Sequence, residues 1–410
     1  GARLKARPMK GVQLTTLYGK QRVYWDWPES YIAGADVELN VDEWLPSLQK
    51  SGTRLMLGAS WVNKDEGKQD DIFIDSTHKL FFPRYVNAWD VRAQLHHGAW
   101  SLLGEYARKT DDPSYDNGYT YNSGDVAMIS GTYSKKGLSL LLQAKRSENM
   151  SLRIQRTKNG IPARLNHLQA FTQDHSYALA AIYAYDTQMA LGEWAYQAEL
   201  GYNFKRKTPI GGKYSMTLKV NYSYVRSLNH EWVSDGNLMA TDWFKSSFFK
   251  WGDQAYYQDL NVQLSRKMTK ELKLSLMYMS QRYNQEVIEG HGNGMIHSDV
   301  YVADASYQFS PKVTLRGEAQ YLNTKQDQGD WVFGLLELSL VPHWMFTVSD
   351  MYNSGETHVH YYQGLVTFNT GAHRIQAGYG RTRAGINCSG GVCRYVPATH
   401  GFTLSYNYNF

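Results

Sequence analysis

The sequence predicts an all-β protein, a transmembrane antiparallel up-and-down β-barrel of about 20 strands with short periplasmic turns and long extracellular loops. Three observations predict it. Of 410 residues, 31 are Tyr, 12 Trp and 14 Phe, against only 10 Pro, a balance that suits strands and the membrane-water interface. Strict apolar/polar alternation recurs in segments long enough to cross a bilayer at a barrel tilt. Connections alternate between short and long, with short turns on one side of the wall and long loops on the other.

The last strand shows the pattern in its simplest form. Phe402, Leu404, Tyr406, Tyr408 and Phe410 share one parity, and Thr403, Ser405, Asn407 and Asn409 the other, so rings take one face and small polar groups the opposite one. The same reading places strands near 10–22, 31–41, 53–63, 84–95, 98–108, 121–134, 138–147, 150–157, 174–184 and 194–205. It continues through 214–228, 254–267, 271–284, 297–309, 312–324, 331–341, 344–353, 357–369, 372–382 and 398–410. Within 147–173 it expects an upper turn, a short descending strand and an irregular periplasmic connection. Short turns fall at His96 to Gly98, Lys135 to Gly137, Met268 to Lys270, Ser310 to Lys312, Pro342-His343 and Thr370-Gly371; longer stretches fall at 64–83, 109–119, 229–252, 285–296 and 384–397. The chain is expected to form one barrel domain over 1–410. Residues 1–8 are a further candidate strand that would make the count odd. Bacterial barrels normally close with an even count, so either those residues lie outside the wall or a partner strand lies upstream. The chain opens on a hairpin already under way, without a signal peptide, which implies a missing natural start.

Composition narrows the class further. Mean hydropathy is −0.51 and no apolar run is long enough for a transmembrane helix, yet a barrel wall needs only alternate residues to be apolar. The net charge of +5 is spread along the chain, which argues against nucleic acid as a partner. Cys388 and Cys393 bracket Ser389 to Val392 and are expected to staple a loop as a disulfide in an oxidising compartment, a cytosolic redox pair being the competing reading. The expected surroundings are outer-membrane lipid and lipopolysaccharide, and the expected location is the bacterial outer membrane.

Several C-terminal stretches carry a resemblance: His343 to Tyr352, Gly364 to Arg374, Gly378 to Gly385, Cys388 to Pro397, and Thr403 to Phe410. Together they resemble an uncharacterised family of Bacteroidetes outer-membrane β-barrel, porin-like proteins. The resemblance implies a location and an architecture, and no activity. The ending Phe402, Leu404, Tyr406, Tyr408, Phe410 is also similar to the signal read by barrel-assembly machinery, which makes that machinery an expected partner during biogenesis.

Candidate functional residues follow from the non-lipid parity. Lys145, Glu199, Lys219, Asp259, Lys273, Arg316, Glu318 and Arg374 are expected to face the lumen, where charges set ion preference or pair across strands to brace the interior. Trp232, Trp243, Phe244, Phe248, Phe249 and Trp251 form an aromatic patch in a long outer loop. It can stack on sugars, dock another envelope protein, or fold inward as a small core or lid. His358 with His360, and His291 with His297, lack a third ligand, so no metal is expected. No nucleophile elbow, phosphate-binding glycine loop or metalloprotease motif appears, and no cofactor is expected. The leading function is a porin-like channel for polar solutes or ions; the alternatives are an accessory or scaffold subunit of a larger outer-membrane complex and, last, an outer-membrane enzyme.

Overall fold

A computed structural model describes residues 1–23, 25–67, 70–157, 164–185, 189–233, 239, 241–292, 294–389 and 392–409, with the backbone alone over 385–396. The strands are β1 (Ala2–Met9), β2 (Val12–Gly19), β3 (Tyr31–Asn40), β4 (Thr53–Asp65), β5 (Tyr85–His97), β6 (Trp100–Lys109) and β7 (Gly124–Lys135). They continue as β8 (Leu138–Glu148), β9 (Glu193–Phe204), β10 (Met216–Trp232), β11 (Phe244–Lys267), β12 (Leu272–Asn284), β13 (Met295–Ser310) and β14 (Val313–Thr324). The last are β15 (Trp331–Leu340), β16 (Trp344–Asn353), β17 (His360–Thr370), β18 (His373–Thr382), β19 (Gly385–Ser389), β20 (Val392–Val396) and β21 (Thr399–Tyr408). All except β19 and β20 belong to one 19-stranded sheet. Every neighbour is antiparallel and adjacent in sequence, with β21 following β18 and β19–β20 forming a separate hairpin between them. The two α-helices described, Pro46–Lys50 and Gln285–Glu289, are single turns.

Alternation decides which way each side chain points. On β12, Leu276 and Tyr278 are 47% and 40% exposed on the outer face, while Met277 and Met279, which alternate with them, are buried. On β21 the outward Phe402 and Leu404 are 89% and 79% exposed. A continuous exterior of large apolar side chains cannot stay in water, and it fits hydrocarbon between aromatic girdles. The inner face curls. Residues 149–192, one segment, bond to Lys64 of β4 through the Arg153 carbonyl and to Gln320 of β14 through the Leu179 amide. That segment therefore bridges strands ten places apart in the sheet.

Two expectations need correction, and the open question of residues 1–8 is decided. The strands expected at 150–157 and 174–184 do not form. The described residues of 149–192 turn into the concave face, because their apolar residues run consecutively, as in Leu179, Ala180 and Ala181, all buried, with no outward parity to give to lipid. Residues 2–9 do join the wall: β1 pairs with β2 from Ala2↔Tyr18 to Met9↔Val12. The stretch 229–252 is largely strand, since β10 and β11 extend as a bulged hairpin whose pairing continues to Trp232↔Phe244. Losing two strands and gaining one leaves 19, still odd. Among the described residues β1 and β21 do not pair, so the sheet is open at one seam. The two edges run in the same direction. Joining them directly would take a parallel ladder, whereas a single intervening antiparallel strand would satisfy both.

The outward parity makes a simple prediction. Leu336→Arg, which places a charge on the outer face in the middle of β15 where Leu336 is 55% exposed, should destabilise the wall by about 2–4 kcal/mol. Ser349→Lys, on the lumen face of β16, should change stability little; urea unfolding in phosphatidylcholine vesicles compares the two.

Candidate functional site

The interior is organised by the segment between β8 and β9, Asn149 to Gly192. Its first part is tied to the rim by charge. Lys64 pairs with Glu66 at 2.6 Å and Asp112 at 3.0 Å, and Arg156 pairs with Glu66 at 2.6 Å, all four side chains being buried. Arg153 pairs with Asp116 at 2.6 Å, and the Tyr115 amide donates to the Arg156 carbonyl at 2.8 Å. Burial alone would raise the Asp112 carboxyl, but Lys64, Lys109 and Arg156 outweigh it and hold it below the usual carboxylate range.

The second part, 164–185, crosses the lumen against β9 to β15. Asp259 of β11 is its main anchor. One carboxylate oxygen meets His175 Nε2 at 2.8 Å and accepts from the Tyr257 hydroxyl at 3.0 Å. The other accepts from Asn221 Nδ2 at 2.8 Å. Gln320 Oε1 accepts from the Leu179 amide at 2.8 Å, Gln281 Nε2 donates to the Tyr183 carbonyl at 3.0 Å, and Asn261 Nδ2 donates to Gln173 Oε1 at 2.9 Å. Lys145 donates to the Gln169 carbonyl at 2.5 Å and pairs with Glu193 at 3.1 Å, while Glu193 accepts from the Tyr185 hydroxyl. Between these bonds lies a dry contact in which Phe171, Leu179 and Tyr183 pack on Met279, Val300, Leu322 and Trp331.

The segment leaves a passage beside it. A cavity of about 550 Å³ runs between Ser176, Ala178 and Ile182 and the inner wall of β14 to β18. On β17 it is lined by Tyr361, Gln363, Leu365, Thr367 and Asn369, every inward residue from the long-loop end to the short-turn end, so it spans the height of the wall. Its charges are Arg316, Glu318, Glu337, Arg374, Arg381 and Arg383. Burial lowers the Arg383 guanidinium, at the loop end, from its ordinary value.

Seven of the eight charged residues expected on the lumen parity separate into three groups, and Glu199 stands apart. Lys145, Asp259 and Glu318 are buried, the first two as anchors of the segment and Glu318 bonded to Arg316 and Gln320. Arg316, which pairs with Asp304 at 2.9 Å, and Arg374 line the passage. Lys219 and Lys273 open onto a lower cup beneath Tyr177. Glu199 is half-buried opposite Asn221 and joins neither cavity. The aromatic patch is divided. Phe244 is buried against His230, and Trp243 packs on Gly118, whose positive φ and close approach leave no room for a Cβ. Phe249 is 85% exposed, and Trp251 donates to the Tyr196 hydroxyl at 2.8 Å on the outer face. His360 pairs with Asp350 at 2.6 Å and His291 with Glu289 at 3.2 Å; no group of three metal-ligating side chains forms among the described residues. Cys388 lies opposite Cys393 in the β19–β20 backbone register, but both side chains, and Phe410, lie outside the described residues.

Sequence reasoning missed the inward segment, although two signals marked it. Met277, Met279, Val300 and Val302 occupy lumen parity where polar residues are expected, and Tyr177 to Tyr185 is apolar and aromatic without alternation. Together they mean that an apolar surface is covered from inside.

An apolar exterior, an inner wall that is polar except where the inward-folded loop covers it, and that loop itself define a transmembrane-type β-barrel with a constricted lumen. The chain belongs to a family of unknown function (DUF6029), whose model matches residues 1–410. No curated protein matches it. Among solved structures, an engineered variant of the Rhodopseudomonas blastica porin is similar at 10% identity and TM-score 0.34, over 81% of this chain and 93% of that one. A second variant of that porin gives 0.34 over 80% and 93%. The siderophore receptor PirA from Acinetobacter baumannii is similar at 10% identity and TM-score 0.42, over 98% of this chain and 66% of the receptor.

Two outcomes follow for the segment. Asp259→Ala strips the partner from a buried imidazole and amide, a loss of about 3 kcal/mol or more, so amides of 168–185 should exchange at least about a hundredfold faster by mass spectrometry. A carboxyl with a lowered folded-state pKa contributes stability that is complete above its unfolded value near 4 and lost as pH falls through the folded one. Protection of 149–157 should therefore hold from about pH 7 to 5 and fall only below about pH 4, once corrected for intrinsic exchange.

Proposed function

We propose that the protein is a porin-like channel of the bacterial outer membrane that admits small polar solutes or ions through the passage between the inward segment and β14 to β18. The observation that carries this reading is the passage itself, about 550 Å³ and lined from one end of the wall to the other by charged and polar side chains, Arg316, Glu337, Gln363 and Arg374 among them, mixed with apolar ones such as Phe333, Leu335 and Met351. The apolar exterior and the division into short and long connections support the location. A segment held across the lumen by buried bonds narrows a channel without sealing it, which suits selective diffusion better than bulk flow.

A scaffold or accessory role has one observation in its favour. Trp232, Phe249 and Trp251 stand 57%, 85% and 52% exposed on the β10–β11 hairpin, and exposed rings on a protruding element suit partner docking. Single-channel recording of the full chain in planar bilayers separates the two. The channel reading expects stable steps whose ion preference moves toward cations in Arg316→Glu or Arg374→Glu. Silent bilayers together with a stoichiometric partner in native pull-downs would replace it with the scaffold.

A further inference from the structure

A second inner cavity, about 1040 Å³, opens below the segment at the short-turn end, roofed by Tyr177. Its lining holds six basic side chains, Arg206, Lys219, Lys267, Lys270, Lys273 and Arg316, and a single carboxylate, Asp304. Asp304 is already engaged by Arg316 at 2.9 Å. Among the described residues the other five make no ion pair. At two other lumen positions cations are matched, where Arg92 meets Asp36, Glu38 and Asp90 and Lys145 meets Glu193, whereas no ion pair of the passage residue Arg374 occurs among the described residues. Glu318, which also pairs with Arg316, Glu199 on β9 and Glu271 in the β11–β12 turn all lie outside the lining.

The geometry points to an anion-binding vestibule at this mouth, which takes a small, multiply charged oxyanion bearing phosphate or carboxylate groups. Five unmatched cations on one concave wall focus a positive field into the cup, and an anion that enters relieves the repulsion that solvent only screens. Hydroxyls between the cations supply neutral donors: Ser265 and Ser275 face each other at 2.9 Å across β11 and β12. The size matches a small solute. Arg316 lines both this cup and the passage, so an anion held in the cup lies at the entrance to the route proposed above. The vestibule as a solute entrance rests on that channel reading; the binding site itself does not.

The test is calorimetric titration of the full chain, in a zwitterionic detergent at low salt, with inorganic pyrophosphate. Saturable binding is expected, weakening as ionic strength rises. Lys219→Gln combined with Lys273→Gln, in a protein whose circular dichroism is unchanged, should lower the affinity at least about tenfold. Lys312→Gln, on the same side but outside the cup, should leave it unchanged. Equal affinity in the double variant, or an equal loss in the Lys312 control, overturns the site in favour of diffuse attraction. Bilayer recording separates the two claims: binding with silent bilayers removes the channel and keeps the site, whereas channel steps without pyrophosphate binding remove the site and keep the channel.

Discussion

The requirement that every backbone N–H and C=O find a partner inside the protein governs this fold. Hydrocarbon offers no hydrogen bonds, and each group left open there costs several kcal/mol. A continuous antiparallel ladder from β1 to β21 meets that requirement along the wall, and other features follow from it. Successive side chains must alternate between lipid and lumen, so apolar and polar residues alternate. Successive strands must reverse, so connections divide between two ends and can be short at one and long at the other. The seam is where the requirement is still open, because β1 and β21 run the same way.

The inward segment answers a second constraint. A wall this wide encloses more space than its own side chains can fill, and the upper lumen face of β12 to β15 is apolar at Met277, Met279, Val300, Leu322 and Phe333. Left wet, that surface would be unfavourable. Phe171, Leu179 and Tyr183 cover it, and Asp259, Gln281 and Gln320 supply bonds to the polar groups that the covering strips of water. The segment thus divides the interior. One part is a dry, bonded contact, and the other is a polar passage and a basic cup that the segment borders without filling.

Charge is distributed in keeping with this division. Where side chains are buried, as at Lys64, Glu66, Asp112 and Arg156, opposite signs meet, because an unmatched ion in a dry setting is costly. Where they face water, as at Lys219 and Lys273, solvent screens them and like charges persist. The interior charges therefore play two physical roles on one parity, locking the segment at some positions and lining open cavities at others.

The wall was legible in the sequence because it is a local property: period-two alternation in Phe402 to Tyr408 or Met216 to Tyr224 assigns each face without reference to any distant residue. The pairing of sequence neighbours was legible for the same reason, since an up-and-down sheet makes contacts that follow chain order. The fate of 149–192 was not, because whether such a segment crosses the bilayer or turns into the lumen depends on what faces it from β9 to β15, more than a hundred residues away for Gln320. The same holds for the lumen charges. Parity could assign Asp259 and Lys219 to one face, but only the closed distances show that the first is buried against His175 and the second opens onto a cup. Sequence determined orientation, a matter of one strand; tertiary structure decided occupancy, because what fills a lumen is set by all the walls around it at once.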